Sequence, residues 1–101
     1  MALFHDGMLC PYCRKPMNSG QELVAFTFVG SDDPLIKEID DGVVHTDCLG
    51  QHPKRDEIVE TWNKEAKRLL GPLWMLRVTA DGRVRHLDAT EQAIYRATGR
   101  I

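Results

Sequence analysis

Two short strings of metal-type residues constrain this chain more than anything else in it. Cys10-Pro11-Tyr12-Cys13 stands near the start and His45-Thr46-Asp47-Cys48 near the middle. Three thiols and one imidazole, in two pairs of equal spacing, make a complete sulfur and nitrogen ligand set for a tetrahedral Zn²⁺. The spacing has a physical reason. A tight turn aims both members of a Cys-x-x-Cys pair at one centre. At a helix start, residues three apart share a face, so His45 and Cys48 can converge on that centre too. The sequence therefore predicts one structural zinc ion held by Cys10, Cys13, His45 and Cys48. Four such ligands leave no open position for the water that a catalytic zinc activates. His52 is the reserve ligand if His45 points away, whereas His5 and His86 have no ligand spacing.

A metal staple suits a chain of 101 residues, whose core is marginal in size. Hydrophobic residues make up 43% and charged residues 28%, as in ordinary globular chains, and the net charge of −2 provides no global basic field for nucleic acid or membrane. The charge is uneven, however. Residues 1–50 carry Arg14, Lys15 and Lys37 against eight acids, and residues 51–101 carry ten Lys and Arg against seven. All three cysteines fit the metal pattern, which points to a reducing compartment. The first residues show no basic stretch leading into an apolar run, and no apolar stretch reaches membrane-spanning length. The expectation is a cytoplasmic protein without membrane contact, forming one small domain over residues 1–101.

The order of local signals then sets the architecture. Cys10 to Gly20 contains Pro11, Pro16, Asn18, Ser19 and Gly20, which is turn chemistry and reads as a knuckle around the thiols. Gln21 to Val29 is rich in β-branched and aromatic residues and reads as a strand, with Val24, Phe26 and Phe28 on one face. Leu35 to Ile39 is ambiguous. Asp40-Asp41-Gly42 turns the chain into a return strand, Val43-Val44, that delivers His45. Thr46 to Gly50 reads as one helical turn. A longer helix opens at His52-Pro53, with Asp56 and Glu57 in its first turn. Ile58, Trp62, Ala66 and Leu69, with Val59 and Leu70, form its apolar stripe, and Gly71-Pro72 stops it.

Trp74 to Leu87 reads as a hairpin around Ala80-Asp81-Gly82. A two-residue Asp81-Gly82 loop would pair Val78 with Arg85 and mix the faces. A three-residue loop with Gly82 in a left-handed bulge pairs Val78 with Val84 and Arg77 with Arg85, which separates apolar from charged residues. Asp88-Ala89-Thr90-Glu91 has the form of a capping box, and the helix behind it runs to about Ala97, before Gly99.

A knuckle, a strand, a return strand and a His-x-x-Cys at a helix start resemble a treble-clef zinc finger, the architecture that also underlies the first half of LIM domains. The resemblance covers residues 10–70. It implies a knuckle supplying two ligands and a helix N-terminus supplying two more. The expected fold is thus α+β: a treble-clef-like zinc unit over residues 8–71, followed over residues 72–101 by a β-hairpin and a C-terminal helix packed on it. Cys-Pro-Tyr-Cys also resembles the active-site string of glutaredoxins, but Pro16 and Asn18-Ser19-Gly20 stand where a glutaredoxin would run its helix. A treble clef can carry nuclease chemistry, as in His-Me finger enzymes. That needs a catalytic histidine apart from the zinc ligands, and none has that placement once His45 is a ligand.

The leading expectation is a non-enzymatic module with no catalytic residues and no organic cofactor. Zinc fixes its scaffold, and an exposed face binds another protein in an adaptor, inhibitor or immunity-type role. Arg77, Arg83 and Arg85 are the candidate partner contacts. Opposed arginines repel unless an acid or anion lies between them. The same basic face makes a nucleic-acid-binding regulator the second expectation, and a treble-clef hydrolase is the third.

Overall fold

A computed structural model describes residues 4–71 and 74–100. The chain runs β1 (Leu23–Ala25), α1 (Pro34–Lys37), β2 (Val43–His45), α2 (Thr46–Gly50), α3 (Arg55–Leu69), β3 (Leu76–Val78), β4 (Val84–His86) and α4 (Ala89–Thr98). Helices and two small antiparallel hairpins make it a mixed α+β protein. In the first hairpin Leu23 lies opposite His45, Val24 opposite Val44 and Ala25 opposite Val43. In the second, Leu76 lies opposite His86, Arg77 opposite Arg85 and Val78 opposite Val84.

The second hairpin takes the bulged register. Thr79 N–H donates to Arg83 O at 2.7 Å, and Gly82 N–H donates to Thr79 O at 2.9 Å. Gly82 closes the loop at φ +83, a left-handed conformation that glycine enters without a Cβ penalty. α4 starts at a complete capping box. Asp88 accepts from Glu91 N–H, and Glu91 accepts from Asp88 N–H. It ends at Gly99, with φ +74.

Three expectations need correction. The strand expected over Gln21–Val29 stays paired only as far as Phe26, whose N–H donates to Gly42 O at 2.8 Å. Beyond it, the Asp40 carboxylate takes the N–H groups of Val29 and Gly30 at 2.8 and 2.9 Å, which pulls the chain out of the pleat. Phe28, expected on one face with Val24 and Phe26, is therefore 64% exposed while those two are buried. Of the ambiguous segment Leu35–Ile39, the first three residues lie in the short helix α1, capped by Asp33, and Ile36 and Ile39 are buried.

The long helix begins at Arg55 rather than at Pro53. His52 and Pro53 are used by the turn that precedes it: His52 N–H donates to Leu49 O, Arg55 N–H donates to His52 O, and Lys54 N–H donates to His52 Nδ1. At the other end Leu69 is 47% exposed, so the buried stripe is Ile58, Val59, Trp62 and Ala66. Gly71, at φ +82, donates its N–H to Ala66 O at 2.8 Å and ends the helix; Pro72 lies outside the described residues.

One core joins these parts. Trp62 is fully buried, with its ring edge-to-face with Phe26 of the first hairpin, the centroids 5.0 Å apart. Its indole N–H donates to Trp74 O at 2.8 Å, so the same side chain also grips the approach to β3. Met17, Val24 of β1, Ile36 of α1, Val44 of β2 and Leu49 of α2 join it in the core, with Leu76 and Val84 from the second hairpin.

Candidate metal centre

The first ligand pair is set by a small hairpin. Leu9 and Pro16 form an antiparallel bridge, and Met17 N–H donates to Met8 O at 2.7 Å. Within it Cys10 N–H donates to Lys15 O, and Arg14 N–H donates to Cys10 O. Arg14 takes φ +63, left-handed and sparsely populated for a residue with a Cβ, so the turn is closed tightly enough to fold Cys13 back over Cys10. Met17, fully buried, anchors the turn in the core.

The second pair is set by the junction of strand and helix. The last rung of the first hairpin, Thr46 N–H to Glu22 O at 3.0 Å, holds the end of β2. His45 is the N-cap residue of α2 in an extended conformation, and its side chain makes no capping bond. The imidazole is thus left for another task. Cys48, three residues on, shares its face. Asp47, between the two, pairs with Arg83 at 3.2 Å.

These two junctions bring the four side chains together. The ligand atoms of Cys10, Cys13, His45 and Cys48 all lie within 4.8 Å of one another. His45 Nδ1 stands 3.3 Å from Cys13 Sγ and 3.7 Å from Cys48 Sγ. Zinc bonds of the usual lengths at a tetrahedral angle put sulfur and nitrogen about 3.5 Å apart, so the residues fit the ion. Cys10 is fully buried and the other three are half-buried, which leaves the centre close to one surface. His52 is not in the group. Its ring packs on Tyr12, with centroids 4.9 Å apart, and its Nδ1 accepts from Lys54 N–H.

The thiols are electrostatically unequal. The Lys15 backbone N–H, first of all, pulls the Cys13 thiol below its ordinary pKa, with hydrogen bonds from the other two thiols adding to it. Burial, followed by the neighbouring Cys13, pushes Cys48 up to about 12. Three thiolates at this separation repel one another, and a divalent cation among them removes that cost.

Arg83 lines the same surface pocket as Cys13, His45 and Cys48, whereas Arg77 and Arg85 lie on β3 and β4, and each of the three already faces an acid. Arg77 and Arg85 stand side by side in register, and the Glu91 carboxylate bridges them, with Arg85 Nη1 at 2.6 Å from Oε1. Arg83 pairs with Glu22 and Asp47. These bonds raise the pKa of Arg83, chiefly through Asp47, and of Arg85, chiefly through Glu91. The acid that the opposed arginines require is therefore on the same chain, a pairing that the opposed Arg77 and Arg85 hinted at but that no local spacing located.

Two residues around the site escaped the sequence reading. Gln21 Oε1 lies 3.1 Å from His45 Nε2, and Arg55 Nη1 donates to Gly82 O and, more weakly, to Gly50 O, tying α2 to the hairpin turn. A glutamine in a turn and an arginine at a helix start carry no signal of such contacts. Compared with known protein families, characterised proteins and solved structures, the chain matches none.

Proposed function

We propose that this chain is a small zinc-dependent scaffold of treble-clef type whose exposed surface binds another protein without catalysing a reaction. The observation that carries this reading is the meeting of Cys10, Cys13, His45 and Cys48, from two separate junctions, within 4.8 Å. The succession of cysteine turn, hairpin and helix-start His-x-x-Cys supports the treble-clef description. A Cys₃His set occupies all four tetrahedral positions, which favours a structural ion over a catalytic one. The acids facing Arg77, Arg83 and Arg85 reduce the charge available to a phosphate backbone, so a protein partner is the better reading than nucleic acid.

Elemental analysis of protein prepared without chelator is expected to give one zinc per chain, and zinc-free protein would overturn the scaffold reading. Pull-down with the zinc-loaded chain, with Cys48→Ala as control, is expected to retain a protein only on the loaded form. Retention of DNA or RNA with a steep salt dependence would shift the reading to a nucleic-acid regulator.

A further inference from the structure

Gln21 stands outside the ligand set, yet its side chain joins the two halves of the centre. Its Oε1 lies 2.8 Å from the backbone N of Asn18 and 3.1 Å from His45 Nε2. The Asn18 N–H can only donate, which assigns the oxygen of the Gln21 amide, not its NH₂, to this position. An amide oxygen only accepts, so His45 Nε2 carries the ring proton. The lone pair of the neutral imidazole is then on Nδ1, the nitrogen that faces Cys13 Sγ at 3.3 Å and Cys48 Sγ at 3.7 Å.

We propose that Gln21 is a positioning residue of the metal centre: it fixes the tautomer of His45, makes Nδ1 the metal-binding atom, and ties that ring to the turn following the cysteine knuckle. The proposal rests on the zinc reading above. The turn itself is closed by Gln21 N–H donating to Asn18 O at 2.9 Å, so Gln21 is tied to Asn18 through its backbone as well as through its amide oxygen. A metal-ligating imidazole is oriented, and made more basic, by the acceptor at its second nitrogen, and loss of that acceptor typically costs about 10–100-fold in metal affinity. Gln21 is exposed, so water replaces part of what it supplies, and the low end of that range applies.

The test uses the full chain and two variants. In competition against a chromophoric chelator, Gln21→Ala is expected to lose about tenfold in zinc affinity. Gln21→Glu keeps an acceptor for both Asn18 N–H and His45 Nε2–H and is expected to hold at least the wild-type affinity. Nitrogen NMR of labelled protein carrying spin-active cadmium reads the geometry directly. The expected signature is scalar coupling between cadmium and His45 Nδ1, with a protonated Nε2 whose exchange with water quickens in Gln21→Ala. A purely structural turn role would lower the melting temperature without moving that exchange. Coupling through Nε2, or undiminished affinity in Gln21→Ala, would overturn the proposal and leave the zinc reading standing. Wild-type protein that takes up neither zinc nor cadmium would overturn both.

Discussion

Asn63 is joined to Leu76 by two hydrogen bonds that imitate a rung of a sheet. Its Oδ1 accepts from Leu76 N–H at 2.7 Å, and its Nδ2 donates to Leu76 O at 2.8 Å. Leu76 sits at a position of β3 whose backbone groups point away from β4, so the helix side chain covers the free edge of a strand. Asn63→Ala strands both groups and is expected to cost about 2 kcal/mol in chemical denaturation. Zinc content should not change, because Asn63 bonds to none of the four ligands. Asn63→Asp keeps the acceptor, loses the donor, and should fall between the two.

On the zinc reading proposed above, metal binding and folding are one equilibrium for the ligand-bearing half. Structural zinc contributes its binding free energy to the fold, so Cys10→Ala or Cys48→Ala should lose the metal and the cooperative melting of residues that pack around the centre. His52→Ala removes only the acceptor for Lys54 N–H and a ring contact with Tyr12. The expected cost is about 1 kcal/mol, with zinc retained. Zinc analysis and circular dichroism on the same samples separate the two classes. Zinc kept by His45→Ala and lost by His52→Ala would refute the ligand assignment.

Glu91 makes stability depend on acid. Arg85 first, then the Asp88 backbone N–H and Arg77, hold its carboxyl at about 2, against an ordinary value of 4.5. The unfolded chain therefore binds this proton more readily than the folded one. The contribution of Glu91 is fully present above about 4.5 and is lost as pH falls toward about 2. Glu91→Gln should melt below wild type at neutral pH, and the gap should narrow through that window. On the zinc reading both proteins would shed metal in acid, so the difference between their melting temperatures is the quantity to follow; a gap constant with pH would refute the assignment.

The hairpin loop allows a backbone test. Gly82 sits at φ +83, and a Cβ there would lie 3.2 Å from Arg55 Nη1, the group that holds the loop carbonyl. Gly82→Ala should cost about 1–2 kcal/mol from the left-handed conformation alone. Denaturation within error of wild type would show that the loop relaxes into another turn.

What could be read from the sequence follows from how local each cause is. The spacing within each Cys/His pair, the β3–β4 register and the α4 capping box are each decided within a few residues. Cys-x-x-Cys and His-x-x-Cys need only a turn and a helix start. The Val78–Val84 and Arg77–Arg85 pairs follow from segregating apolar and charged faces. What could not be read is decided by contacts far apart in sequence. Asp40 takes over the backbone of Val29 and Gly30 and cuts β1 short. Asn63 and Gln21 look like ordinary surface amides until the fold puts Leu76 and His45 against them.

Arg77 and Arg85 illustrate the same limit with a consequence for experiment. From sequence they are a basic face open to a partner, and reversing both charges ought to leave the fold intact. The structure places the buried Glu91 between them, in the same capping box that starts α4. Arg77→Glu with Arg85→Glu would set three carboxylates against one another at that helix start, so the double reversal is expected to lower the melting temperature clearly. Adding Glu91→Lys restores opposite charges at the expense of the capping box and should recover part of the loss, as coupled neighbours require. An unchanged melting temperature in the double reversal would mean that these exposed guanidiniums contribute nothing measurable, as many surface pairs do not. In that case the two arginines remain free to serve a partner, and Arg77→Gln with Arg85→Gln becomes the variant to carry into the pull-down.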